Sequence, residues 1–150
     1  MPQSLSRILV HLVFSTKNRE RILTPDIQTE LHPYLAGTLD NIDCPSLQVG
    51  GFEDHVHLFF GLSRTRTMAD VVETVKKSSS KWIKTKSPEF GGFHWQSGYG
   101  AFSVSQSDAD EVVDYVRNQA RRHEKMTFQD EYRRLLERYR LAFDERYVWD

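Results

Sequence analysis

Ser46-Leu-Gln-Val-Gly-Gly-Phe-Glu-Asp-His-Val-His-Leu-Phe-Phe-Gly-Leu62 is the stretch on which the fold turns. Ser46 to Val49 and His55 to Leu62 are rich in apolar and β-branched or aromatic types, as strands are. Gly50-Gly51-Phe52-Glu53-Asp54 between them is short enough to close a hairpin. Within the second strand, side chains two residues apart share a face, so His55 and His57 point one way while Val56, Leu58 and Phe60 point the other.

Upstream, Arg7 to Ser15 is a third apolar, β-rich run, predicted to be a strand buried on both faces, with His11 inside it. Thr24-Pro25 is a helix start, and Ile27, Leu31, Leu35 and Leu39 continue at helical spacing to an end near Asp40. Pro33 is expected to kink or interrupt that helix. Downstream, Thr67 with Asp70 caps a helix whose inner face is Met68, Val71, Val72, Val75, Ser79 and Trp82. Gly91-Gly92 and Ser97-Gly98 bracket a loop bearing His94 and Trp95, and Tyr99 to Ser105 alternates as a fourth strand. Ser107 and Asp110 are expected to cap a third helix, and Thr127 with Asp130 a last one carrying Phe128, Tyr132, Leu135, Leu136 and Tyr139 on one side. The order strand, helix, strand, strand, helix, strand predicts an α+β ferredoxin-like (split βαβ) fold, an antiparallel sheet with helices on one face, plus a C-terminal helix.

The 150 residues suit a single domain spanning 1–150, with 39% hydrophobic and 27% charged residues excluding a disordered chain. No apolar run is long enough to cross a bilayer and the N-terminus has no signal-peptide pattern, so a cytoplasmic protein is expected. The lone Cys44 excludes an internal disulfide and a thiolate metal site. A net charge of −1 excludes a strong overall positive field, so any nucleic-acid site must be local. Two basic segments qualify: Lys76, Lys77, Lys81, Lys84 and Lys86, and then Arg117, Arg121, Arg122 and Lys125.

Two imidazoles on one rigid strand can reach a single divalent ion. On its own, however, a His-x-His pair is more often two hydrogen-bonded structural histidines. Tyr115 and Gln119 lie four apart on the third helix, beside a stripe of Ala109, Val112, Val113, Val116 and Ala120 expected to be buried. From that rim a tyrosine hydroxyl can enter a cleft against the sheet, and an amide oxygen can serve as a neutral ligand. A snorkelling tyrosine and a solvated glutamine would give the same spacing.

Five stretches in order resemble the small single-tyrosine HUH transposases of bacterial insertion sequences, the IS200-like transposase family. They are His11-Leu12-Val13-Phe14-Ser15-Thr16-Lys17-Asn18-Arg19, Asp54-His55-Val56-His57-Leu58, Lys76 through Trp82-Ile83, Trp95 through Ser105, and Tyr115 with Gln119. The resemblance implies that Tyr115 is the nucleophile and that His55, His57 and Gln119 hold Mg²⁺ or Mn²⁺, with His123 a competitor for the third ligand. It implies an enzyme that cleaves and rejoins single-stranded DNA at hairpin ends of a mobile element through a 5′-phosphotyrosine, acting as a homodimer. Lys76, Lys77, Lys81, Lys84, Arg117 and Arg121 would then contact phosphates, and Trp82 or Trp95 could stack on unpaired bases. Two alternatives stay open. A two-histidine phosphoesterase would leave Tyr115 without a role, and a non-catalytic single-strand binder derived from such a transposase would form no adduct.

Overall fold

A computed structural model describes residues 2–150. Strands β1 (Leu9–Ser15), β2 (Ser46–Phe52), β3 (His55–Gly61) and β4 (Gly100–Val104) form one antiparallel sheet in the order β2-β3-β1-β4. This is the ferredoxin-like order, with β1 and β3 buried along their whole length at the centre. Helices α1 (Pro25–Asn41) and α2 (Met68–Lys84) cover one face, where Val10, Leu12, Phe14, Val56, Leu58 and Phe60 meet Leu31, Leu35, Val71 and Val75 in the main core.

The opposite face is covered as well, by α3 (Ala109–Arg117), the short α4 (Gln119–Arg122) and α5 (Phe128–Arg138). Leu9 and Phe59 pack with Val116, and Val13 and Phe102 with Phe128, Tyr132 and Leu135. These two smaller apolar clusters flank His11, His55 and His57, which point to the same side of the sheet.

Four local expectations need correcting. The hairpin loop shrinks to Glu53 and Asp54, because Gly50 and Gly51 are strand residues paired with His57 and Val56. Neither glycine has a positive φ. Gly50 is required by close approach: a Cβ there would lie 2.1 Å from the Val116 carbonyl oxygen, so a bare backbone lets α3 settle on the sheet.

α1 runs through Pro33 without interruption, its apolar face (Ile27, Leu31, Leu35, Leu39) remaining seated in the core. One missing N–H is outweighed there by the packing of the flanking turns. The expected cap of α3 is not formed: Gln106–Asp108 make a turn of 3-10 helix, and no side chain caps Ala109. Finally, Asn118 (φ −99°, ψ 27°) breaks the helix that was expected to carry both Tyr115 and Gln119. The break turns the next residues, so Ala120 is exposed and Gln119 is fully buried.

The other two caps agree with the sequence. Thr67 Oγ1 accepts from Asp70 N at 3.1 Å, and Thr127 Oγ1 from Asp130 N at 3.2 Å. Among the described residues, no helix is long and apolar enough to cross a membrane.

Candidate metal and nucleophile site

Strand alternation on β3 sends both His55 and His57 into the space beneath α4 and α5, and both rings are inaccessible to solvent. Their outward nitrogens are tied differently. His55 Nδ1 lies 2.7 Å from the buried Asp54 Oδ1, and His57 Nδ1 lies 2.7 Å from His11 Nε2 on the neighbouring strand. Since a carboxylate only accepts, Asp54 fixes the proton on Nδ1 of His55 and leaves Nε2 facing inward.

What those inward nitrogens face was not foreseen. Glu131 on α5 is 2% exposed, and its Oε1 lies 3.4 Å from His55 Nε2, 3.3 Å from His57 Nε2 and 2.9 Å from His123 Nε2. Its other oxygen, Oε2, accepts hydrogen bonds from the Tyr115 hydroxyl and from Gln119 Nε2 (3.0 Å). Gln119 thereby turns its own Oε1 toward His55 Nε2 (3.0 Å) and His123 Nε2 (3.1 Å). All four expected residues, His55, His57, Tyr115 and Gln119, thus meet around a carboxylate that sequence reading missed.

Burial alone would push the His55 imidazole down, but Asp54 on one nitrogen and Glu131 beside the other outweigh it and raise it to about 9. His57 goes the other way, lowered mainly by burial, with the neighbouring His55 and His123 adding to that and Glu131 opposing it. Burial would raise Glu131, but the surrounding His57, His123 and His55 hold its carboxyl well below the usual carboxylate range. Burial and the Glu131 charge push the Tyr115 phenol up, against the nearby Arg122, whose guanidinium carbon sits 4.3 Å over the Tyr115 ring.

The donor set suits a cation. His123 Nδ1 is 2.6 Å from the Met126 carbonyl, which can only accept, so this nitrogen, like Nδ1 of His55, is committed as a donor. The inward nitrogens of both rings then face only acceptors, the Oε1 atoms of Gln119 and Glu131. Lone pairs facing lone pairs in a buried site call for extra protons or a metal ion. The ligand atoms of His55, His57 and Glu131 all lie within 4.8 Å of one another. The close pairs, 3.0 to 3.4 Å apart, match neighbouring donors around a six-coordinate ion with bonds of about 2.1 Å, which are about 3 Å apart. His55, His57 and Glu131 could therefore hold a metal ion, with the oxygen of Gln119 at the same point.

The basic residues do not gather in one place. Lys77, Lys81 and Lys84 are exposed on α2, on the face of the sheet away from Tyr115, and Lys77 pairs with Glu73. Arg117, paired with Asp114, and Arg121 are exposed on the Tyr115 side. Lys76 is engaged internally: its Nζ donates to the carbonyls of Gln96, Ser97 and Gly98 at 2.7 to 3.2 Å, and burial lowers it to about 8. Trp95 is a core residue, edge-on to Phe14 and Phe93 with its indole N–H on Ser79, so it has no free face for a base. Trp82 is half-buried and stacked on Tyr34.

With the sheet order and this cluster established, comparison with known proteins places the chain. The model of the IS200-like transposase family matches residues 4–119, and the chain belongs to that family. Among solved structures, a candidate transposase from Deinococcus radiodurans R1 shares 23% identity at a TM-score of 0.62, over 79% of this chain and 98% of that one. A REP-associated tyrosine transposase bound to a REP hairpin shares 15% identity at a TM-score of 0.53, over 77% of this chain and 70% of that one. Both share the fold. No protein of curated function matches the chain. Glu131 lies beyond the region matched by the family model.

Proposed function

We propose that this transposase cleaves and rejoins single-stranded DNA by covalent catalysis, with Tyr115 as nucleophile and His55, His57, Glu131 and Gln119 as the metal-holding residues. The observation that carries the reading is the double engagement of one buried carboxylate. Glu131 accepts from the Tyr115 hydroxyl through one oxygen and turns the other to the inward nitrogens of both β3 histidines. Nucleophile and ion-binding atoms are thereby brought to one point within a single chain.

Glu131 orients the phenol. Tyr115, held protonated by burial and by the charge of Glu131, is a poor nucleophile until a strand docks. As its Oη bonds to the phosphorus the bond to the 3′ oxygen breaks, and the phenolic proton goes in net to that oxygen, which leaves as a 3′ hydroxyl. Glu131, held well below the usual carboxylate range, stays an anion and keeps the phenol in place. The 5′ phosphate stays on Tyr115 as an ester, so the energy of the broken bond is kept for a later 3′ hydroxyl to displace the tyrosine. Mg²⁺ or Mn²⁺ in the site would neutralise charge building on the phosphate oxygens. Arg122, lying over the Tyr115 ring with its Nε 3.9 Å from Glu131, stands ready to pair with the same phosphate.

The substrate in this reading is single-stranded DNA from the hairpin ends of a mobile element, recognised by a homodimer in the cytoplasm. The named hairpin complex of the second structural neighbour supports the DNA class. Exposed Lys77, Lys81, Lys84, Arg117 and Arg121 supply charge for the backbone. Residues 1–150 act as one catalytic unit, because α5 beyond the matched region completes the cluster.

The test is a labelled single strand carrying the sequence that flanks the gene, incubated with Mn²⁺. The parent protein should form a covalent adduct resistant to denaturant, and Tyr115→Phe should bind the strand without forming one. An adduct on the phenylalanine variant would overturn the assignment.

A further inference from the structure

A cavity of about 160 Å³ opens beside Tyr115, between α3, the end of β4 and the last turn of α5. Its floor is His11, only 4% exposed and hydrogen-bonded through Nε2 to His57. Half-buried Tyr115 and Tyr139 stand in its walls, and at the mouth are the exposed side chains of Asp108, Glu111 and Arg138. The Tyr139 hydroxyl donates to the Ser103 carbonyl at 2.9 Å and its ring packs on Phe102, so that wall is fixed.

We propose that this cavity takes the base of a nucleotide next to the phosphate attacked by Tyr115, and that it favours a base with an exocyclic amine. The inference rests on the Tyr115 reading, since only then does a strand pass this point. Charge selects the part of the nucleotide. Two carboxylates against one guanidinium repel a phosphate, and the basic side chains Arg121, Arg122 and Lys125 follow Tyr115 on other elements. The aromatic wall and the apolar flank of the cavity suit a flat ring, as in single-strand binders.

Charge also selects among bases. Asp108 shares Oδ2 with the Ser105 hydroxyl at 3.0 Å, whereas the exposed Glu111 carboxylate makes no hydrogen bond among the described residues and can accept one. Carboxylates read amino groups, as with N4 of cytosine, and thymine has none. The strand therefore meets the Arg122 guanidinium over the ring of Tyr115 and a base-reading notch lined by the same tyrosine.

The experiment selects randomised single strands by binding to the Tyr115→Phe protein and compares the enriched sequences with those selected by the same protein carrying Glu111→Gln. One position should be depleted of thymine about fivefold or more against adenine or cytosine, and Glu111→Gln should reduce that bias to about twofold or less. An absence of thymine bias, or a profile unchanged by Glu111→Gln, overturns the base subsite. The enriched strands are then offered with Mn²⁺ to the protein retaining Tyr115. Base selection without a covalent adduct leaves the notch standing and sinks the nucleophile reading, while an adduct without base selection does the reverse.

Discussion

Tyr115 donates its hydroxyl hydrogen to the carboxylate of Glu131, sixteen residues further along the chain and on a different helix. The same carboxylate lies within 3.4 Å of a ring nitrogen of His55 and of His57, so on the proposed reading a change at Glu131 acts on ion binding and on Tyr115 together. Glu131→Gln keeps the shape and removes the charge. Mn²⁺ binding, measured by titration calorimetry, should weaken at least about tenfold, a loss of ~1.4 kcal/mol or more. Adduct yield should fall with it even at saturating Mn²⁺. Unchanged Mn²⁺ affinity would remove Glu131 from the ligand set.

His55 gives the metal-free protein a pH signature. Its folded pKa, raised to about 9, lies above the ordinary 6.5, so the folded state holds a proton that the unfolded chain releases. The resulting stabilisation is fully present below pH 6.5 and is lost as pH rises through 9. Thermal melting in the presence of a chelator should therefore show stability falling from pH 6.5 to about 8, above which Lys76, lowered to about 8 by burial, opposes the trend, and Asp54→Asn should flatten the slope. A slope of the opposite sign in the parent would contradict the Asp54–His55 pairing. Metal binding must displace the same proton, so Mn²⁺ affinity should rise over the same window.

Gly50→Ala tests how α3 is seated. The added methyl would meet the Val116 carbonyl oxygen at 2.1 Å, which the rigid backbone of β2 and α3 cannot absorb by a side-chain rotation. A loss of about 2–3 kcal/mol in urea denaturation is expected, at the upper end of overpacking costs. Tyr115 rides on the displaced helix, so adduct formation should drop even where the variant is folded. A variant with parental stability and activity would show that the approach is not needed.

The lysines of α2 divide by environment. Replacing exposed Lys81 and Lys84 together by alanine should reduce the slope of log affinity for single-stranded DNA against log salt by roughly 1.4, about 0.7 per lost phosphate contact. Lys76→Ala should instead lower the melting temperature, because its ammonium ties the Gln96, Ser97 and Gly98 carbonyls together. An unchanged slope in the double variant would leave those two lysines as a solvated helix face.

How much of this was legible in the sequence depended on how local each signal was. The fold follows from the order of strands and helices along the chain, and the shared face of His55 and His57 from period-two patterning, which the sheet preserves without a bulge in β3's pairing to β1. Tyr115 and Gln119 do come together beside the sheet, but not on the one continuous helix expected: one turn still separates them, while Asn118 breaks the helix and Gln119 is buried in place of Ala120. Gly50-Gly51 read as a turn because paired glycines usually make one, whereas a helix approaching from a remote part of the chain explains Gly50. Glu131 was masked by its position in the first turn after the Thr127 cap, where an acid normally serves the helix dipole. Its spacing held the missing clue, since it stands three residues after Phe128 and four before Leu135, on the stripe that faces the sheet.

The sheet also separates two jobs that a small domain would otherwise have to reconcile. Its α1–α2 side is an uninterrupted apolar core, while its other side is two lesser clusters parted by buried histidines. Cohesion is thus concentrated on the side away from the proposed site, and the four strands stand as a wall behind it. On the proposed reading, protons and ions would come and go on one side of that wall while the opposite side keeps the chain folded.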